Sequence, residues 1–238
     1  MSQIDLRRNL FSRSMLLLAT DTSGKHGSIA LARGNSDGSC NVIEVVPLAG
    51  GTFSAQLVPQ IADLLAHHGF SKSDIGAFVV ASGPGSFTGL RVGLAAIKAL
   101  SEIVGKPIAA LSLLEGIALS GGVQGKVAAV LDAGRGEVYV GEYEVAGHSA
   151  KVLSEDLLTK EEAWGRVQSS RVITSDRVLA EVARAAGLTT SLIEPVDAGK
   201  LADVGWRKIG SGDTVSSEEL EANYIRRSDA EIFAKNRH

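Results

Sequence analysis

Leu16-Leu17-Leu18-Ala19-Thr20-Asp21-Thr22-Ser23-Gly24, followed by Gly27-Ser28-Ile29-Ala30-Leu31, has a counterpart 111 residues further on. The second copy is Val127-Ala128-Ala129-Val130-Leu131-Asp132-Ala133-Gly134, followed by Gly136-Glu137-Val138-Tyr139-Val140. Each copy reads as a continuous apolar strand, an Asp with a glycine-bearing turn, and a second strand. The offset nearly halves the 238-residue chain. More strand and then alternating helix and strand follow each hairpin. The expected fold class is α/β, with two tandem lobes, each a mixed sheet flanked by helices.

Working outward, strands are expected near 15–20, 27–33, 41–47, 77–82 and 107–111, with helices near 54–68 and 87–104. Leu57, Val58, Ile61, Leu64 and Leu65 share one face of the first helix, Ser54 is placed to cap it, and Gly69 stops it. In the second half, strands are expected near 126–132, 136–144, 149–154, 171–174 and 190–193. Helices are expected near 159–168, 176–186 and 197–210, the middle one begun by Asp176 and stopped by Gly187. Residues 1–14 read as an extension, with Met15 an alternative start. The lobes are expected at 15–112 and 113–220, with a tail at 221–238. No low-complexity segment or long linker separates the lobes, so they are expected to pack as one body.

Gly83-Pro84-Gly85-Ser86-Phe87-Thr88-Gly89-Leu90-Arg91 lies between an apolar strand (77–81) and the long helix. Gly83, Gly85 and Gly89 permit backbone angles and close approaches that side chains forbid. A glycine loop at a helix N-terminus suits an anion. A tight turn that needs glycine only for packing is the other reading, and both stay open. The motif is not GxxxxGK[ST], so a P-loop is not expected.

Composition narrows the function classes. Hydrophobic residues make up 45% and charged residues 21%, ordinary for a globular protein, and no apolar run is long enough for a membrane helix. A net charge of −3 gives no global nucleic-acid signature. The single cysteine, Cys40, excludes an internal disulfide framework and suits a reducing cytosol, so a cytoplasmic location is expected.

Two lobes that each open strand-Asp-x-x-Gly-strand resemble the actin, sugar-kinase and Hsp70 (ASKHA, ribonuclease H-like) superfamily. In such folds the hairpin turns grip nucleotide phosphates between the lobes. The resemblance makes Asp21, Thr22, Ser23, Asp132 and Gly134 the candidates for a vestigial phosphate site. An Asp at a hairpin turn is also an ordinary turn-former. The residues 18–23, Gly83–Leu94 and 131–139, with Tyr224-Ile225-Arg226, resemble the bacterial TsaB (YeaZ) family, with a weaker likeness in the intervening second lobe. Gly83, Pro84, Gly85, Ser86, Phe87, Thr88, Gly89 and Arg91 form its motif loop.

That resemblance implies a subunit of the machinery that makes threonylcarbamoyladenosine in tRNA. The implied partners are the paralogous transferase TsaD and the ATPase TsaE, with tRNA met only through the complex and a homodimer in isolation. No cofactor is implied, and weak nucleotide binding is left open. The family's partner surface lies on the first-lobe helices, so Leu57, Ile61, Leu64, Leu65, Gly93, Leu94, Ile97 and Lys98 are interface candidates. Burial against the lobe's own sheet is the alternative. The chain departs from the family where Phe53-Ser54-Ala55 replaces His-Ser-Glu, and where Ala222-Asn223 stands in place of the proline that often precedes the Tyr.

TsaD-like enzymes carry a His-x-x-x-His pair that binds a metal with a distant Asp. The histidines here are His26, His67, His68, His148 and His238, and no two are four apart. Neighbouring His67 and His68 are expected to point about 100° apart on a helix, so no metal site is expected. Two enzyme readings compete with the partner-subunit reading. A small nucleotide-dependent kinase would use Asp21 and Asp132 with Lys25 or Arg135, and Glu194 and Asp197 carry no motif for it. A peptidase would need Ser86 as nucleophile, and no histidine is spaced to serve it. The basic tail, with Arg226, Arg227, Lys235, Arg237 and His238, reads as a solvated terminus or an RNA contact.

Overall fold

Apolar residues run without alternation through β1 (Met15–Asp21) and β2 (His26–Gly34), and both strands are buried almost end to end. Such strands need cover on both faces. The computed structural model describes residues 14–225. In it, β3 (Cys40–Ala49), β4 (Ile75–Gly83) and β5 (Ile108–Ser112) complete a sheet of order β3-β2-β1-β4-β5. The β1/β2 and β2/β3 pairs are antiparallel and β1/β4 is parallel.

Helices α1 (Phe53–His67) and α2 (Phe87–Val104) cover one face. Leu57, Ile61, Leu64, Leu65, Leu94 and Ile97 are buried in one cluster with Leu16, Leu18, Ile29, Leu31, Phe78 and Val80. The cap of α1 is Thr52, whose side chain makes no capping bond, so Ser54 does not have the capping role expected of it.

The opposite face is closed from far along the chain. Helix α6 (Ala198–Ser211) packs on β1, β2, β3 and β5. A Cβ on Gly205 would come within 2.5 Å of the Val79 side chain, which points away from Phe78 and Val80. Trp206 is fully buried, and its Nε1 donates to the Asn35 carbonyl at 3.2 Å. A Cβ on Gly34 would lie 2.3 Å from the indole, so the strand end must be glycine for the ring to seat. The first compact unit is therefore residues 14–82, 88–112 and 196–222 of the described chain. This corrects the expected boundary at 113–220. Residues 196–220 return to the first sheet because it needs a second layer.

The second unit comprises residues 83–87, 113–195 and the described residues from 223. Its sheet contains β6 (Gly125–Gly134), β7 (Glu137–Ala146), β8 (Ser149–Thr159), β9 (Arg171–Thr174) and β10 (Thr190–Leu192). The order β8-β7-β6-β9-β10 repeats that of the first sheet, each strand replaced by its counterpart. The β6/β7 and β7/β8 pairs are antiparallel and β6/β9 is parallel, again as in the first sheet. The duplicated α/β plan expected from the repeat is present.

Helix α4 (Lys160–Arg166) begins at Thr159, where Thr159 N donates to Glu162 Oε2 at 2.9 Å and Glu162 N to Thr159 Oγ1 at 3.3 Å. Helix α5 (Arg177–Ala185) begins at Asp176, whose carboxylate accepts from Val178 N and Leu179 N. Both helices pack on Ala128, Val130, Val138, Val140 and Val172. Helix α3 (Leu113–Ser120), which packs on β6, β7, β8 and β9, is absent from the sequence expectations. Its eight residues are a short apolar run, which periodicity cannot assign. Among the described residues no helix is long and apolar enough to cross a membrane.

Candidate functional site

The β1–β2 turn is the best-built of the expected sites. Thr20, Asp21, Thr22 and Ser23 are all buried. Asp21 Oδ1 accepts from Ser23 N at 2.8 Å and from Ser23 Oγ at 2.6 Å. That is an Asx turn, in which the carboxylate serves its own backbone. The Thr22 hydroxyl donates to the Gly89 carbonyl at 2.8 Å, and a Cβ on Gly93 would sit 2.3 Å from that hydroxyl oxygen. The Ala198 N–H donates to Ser28 Oγ at 2.9 Å, and Ser28 pairs with Asp21 across the hairpin. The turn thus anchors the first turns of α2 and α6.

Burial pushes the Asp21 carboxyl above its ordinary range, the Ser23 bonds pull it down, and the Asp197 charge raises it further. A carboxyl raised by folding holds its proton more tightly in the native chain than in the unfolded one. Stability therefore falls as pH rises from the ordinary carboxylate value to the raised one, and the full cost stands above that. Asp21→Asn keeps an oxygen that can accept both Ser23 bonds and removes the charge. The expected result is a Tm increase at neutral pH of about 2–4 °C for each kcal/mol relieved. The gain should shrink as the pH approaches about 4. A gain independent of pH would contradict the burial argument.

The counterpart in the second unit is differently placed. Asp132 is exposed, and Gly134, Arg135 and Gly136 all take positive φ, at 72°, 56° and 83°. This glycine pattern is the one a tight turn requires. In the motif loop, Gly83 has φ 132°, Pro84 is buried, and Ser86, Phe87, Thr88 and Arg91 are exposed. The Phe87 ring lies 5.0 Å from that of Tyr224, and Asn223 Nδ2 donates to Glu155 Oε2 at 2.6 Å. Arg226, Arg227, Lys235, Arg237 and His238 lie outside the described residues.

Two expectations are corrected. Leu57, Ile61, Leu64, Leu65, Gly93, Leu94 and Ile97 face the first unit's own interior, and of the eight interface candidates only Lys98 is even half-exposed. Apolar residues at helical spacing mark the sheet-facing stripe, and here that stripe is the core. Val58, Ala62, Ala95, Ala99 and Ile103 are among the exposed apolar positions on these helices. The second correction concerns His67 and His68. His67 ends α1, and His68, with φ −94° and ψ 7°, is its cap. Their ring centroids are 5.0 Å apart, and His68 Nε2 lies 2.7 Å from Glu44 Oε2. One ligand-type atom from each of Glu44, His67 and His68 lies within 4.8 Å of the others. No linear spacing connects residue 44 with residues 67 and 68, so the sequence carries no signal for this cluster. Cys40 stands apart from it, its thiol pushed up to about 12 by burial and by the Asp203 charge.

The family profile described as "TsaD: tRNA N6-adenosine threonylcarbamoyltransferase" matches residues 45–200, more than half of the chain. The chain belongs to that family. Within the TsaD family its likeness is to TsaB/YeaZ members, as the motifs imply. A Bacillus subtilis protein named tRNA threonylcarbamoyladenosine biosynthesis protein TsaB is 35% identical over 131 residues, covering 55% of this chain and 56% of that protein. A Haemophilus influenzae protein of the same name is 26% identical over 230 residues, covering 90% of this chain and 94% of the relative. The matches to the first curated relatives span about half of those relatives' length. The solved structure of YeaZ from Pseudomonas aeruginosa superposes with a TM-score of 0.70 at 23% identity, over 88% of this chain and 99% of that one. That superposition shows the fold, the plan of two like sheets.

Proposed function

We propose that this chain acts in the formation of threonylcarbamoyladenosine in tRNA, as a non-catalytic partner of the transferase TsaD, together with the ATPase TsaE. The observation that carries the reading is a retained family fold without the transferase's histidine pair. No two of the five histidines are four residues apart, so none can form the His-x-x-x-His element that the resemblance assigns to the catalytic metal. The names of the TsaB relatives support the same pathway. The setting of Asp21 supports it as well. Its carboxylate is taken up by Ser23 in a buried turn, whereas a kinase would need that group for metal and phosphate.

In this proposal the docking surface is the outward side of α1 and α2. Val58 is 55% and Ile103 64% exposed, with small Ala62, Ala95 and Ala99 beside them allowing close approach. In isolation the same apolar side mediates self-association, the setting is the cytoplasm, and tRNA is met only through the complex. The test is titration of the chain into the cognate TsaD by calorimetry and gel filtration. A stable complex is expected, and Ile103→Asp should weaken it at least about tenfold while leaving the Tm unchanged, since a central hot spot carries about 2 kcal/mol or more. No complex at micromolar concentration would overturn the reading.

A further inference from the structure

We propose that Glu44, His67 and His68 form a binding site for a divalent transition ion of zinc-like softness. Two imidazoles and one carboxylate are a donor set that suits zinc, with three protein ligands and a remaining position for water. Each residue offers one ligand atom, and the three atoms lie within 4.8 Å of one another.

Three features of the fold bring them together. The β2/β3 register shifts between Leu31 and Ala32, skipping Ile43 on β3 immediately before Glu44, and such a bulge re-aims the neighbouring side chain. Glu44 then meets His68 Nε2 at 2.7 Å. Because α1 ends at His67, the chain leaves the helix at His68 instead of continuing around it, and the two rings sit edge to face at 5.0 Å. The cluster also lies at the C-terminal end of a 15-residue helix, where the final carbonyls and the helix dipole favour a cation.

Small movements close the site. Ligand atoms about 2.0–2.1 Å from a tetrahedral zinc stand roughly 3.3 Å apart. The His68–Glu44 contact must open by roughly half an ångström, with the ion taking the place of the proton between them. His67, which is exposed, needs only a rotamer change to approach. Once bound, the ion ties the edge strand β3 to the end of α1. This site is independent of the partner-subunit reading, since it uses none of the exposed residues proposed for docking.

The test uses the full chain without an affinity tag, stripped with chelator and titrated with zinc chloride by calorimetry. One ion per chain with micromolar affinity is expected, and a Tm increase in roughly hundredfold excess over Kd. His67→Gln removes an exposed ligand and should lower the affinity at least about tenfold, with the metal-free Tm unchanged. Glu44→Gln keeps an acceptor for His68 and removes the anionic ligand, so it should show the same loss. Absence of binding overturns the proposal, as does zinc binding that both substitutions leave intact.

Discussion

Replacing Trp206 with alanine is expected to destabilise the chain by about 3–5 kcal/mol, the usual cost of emptying a buried aromatic site. The indole is fully buried between α6 and the first sheet, it donates to the Asn35 carbonyl, and the absent Cβ of Gly34 makes room for it. The loss therefore comes mainly from the cavity, since the Asn35 carbonyl keeps its bond from Gly38 N at 3.0 Å. Domains are stable by only about 5–15 kcal/mol, so the variant should unfold at markedly lower urea. A loss below about 1 kcal/mol in urea titration would show that α6 is not the layer that closes this sheet.

Gly93→Ala should reverse the usual effect of alanine in a helix. On propensity alone the change stabilises by about 1 kcal/mol. Here the new Cβ would stand 2.3 Å from the Thr22 hydroxyl oxygen, which is buried and committed to the Gly89 carbonyl. Overpacking of this kind costs about 1–3 kcal/mol, and breaking the buried hydrogen bond adds about 1 more. A net loss of about 1–3 kcal/mol is expected. Thr22→Ala in the same chain clears the space, so the double variant should be more stable than the sum of the single changes implies. If Gly93→Ala raised the Tm by itself, the packing of α2 on the β1–β2 turn would be wrong.

These two sites show which features can be read from a sequence. The duplicated hairpins were legible because a continuous apolar strand, an Asp-led turn and a second strand form a local pattern, and both copies carry it. The ends of α5 were legible for the same reason, through Asp176 and Gly187. Helix α6 was legible as a helix, but an apolar stripe does not say which sheet it will cover. Its return to the first sheet follows from two-sided burial of β1 and β2, a tertiary demand. The stripe on α1 and α2 fits a partner surface or the chain's own sheet equally well in the sequence, and it serves the core. Val58, expected on the same face as Leu57 and Ile61, lies about 100° around the helix from Leu57 and is instead exposed on the outward side, as is Ile103. The Asp21 turn was recognised as a candidate phosphate site, yet its chemistry depends on Ser23 two residues on and on Asp197 far along the chain. Glu44, His67 and His68 meet only because a bulge and a helix end coincide.

The central claim is that the family fold is kept here for support and not for catalysis. Its most direct test is threonylcarbamoyl transfer to tRNA from threonylcarbamoyl-adenylate, measured with this chain alone, with its cognate TsaD, and with TsaD, TsaE and this chain together. The account predicts no transfer by the chain alone and a clear gain when it joins the others. Transfer by the unaided chain, or a complete system indifferent to its omission, would contradict the account.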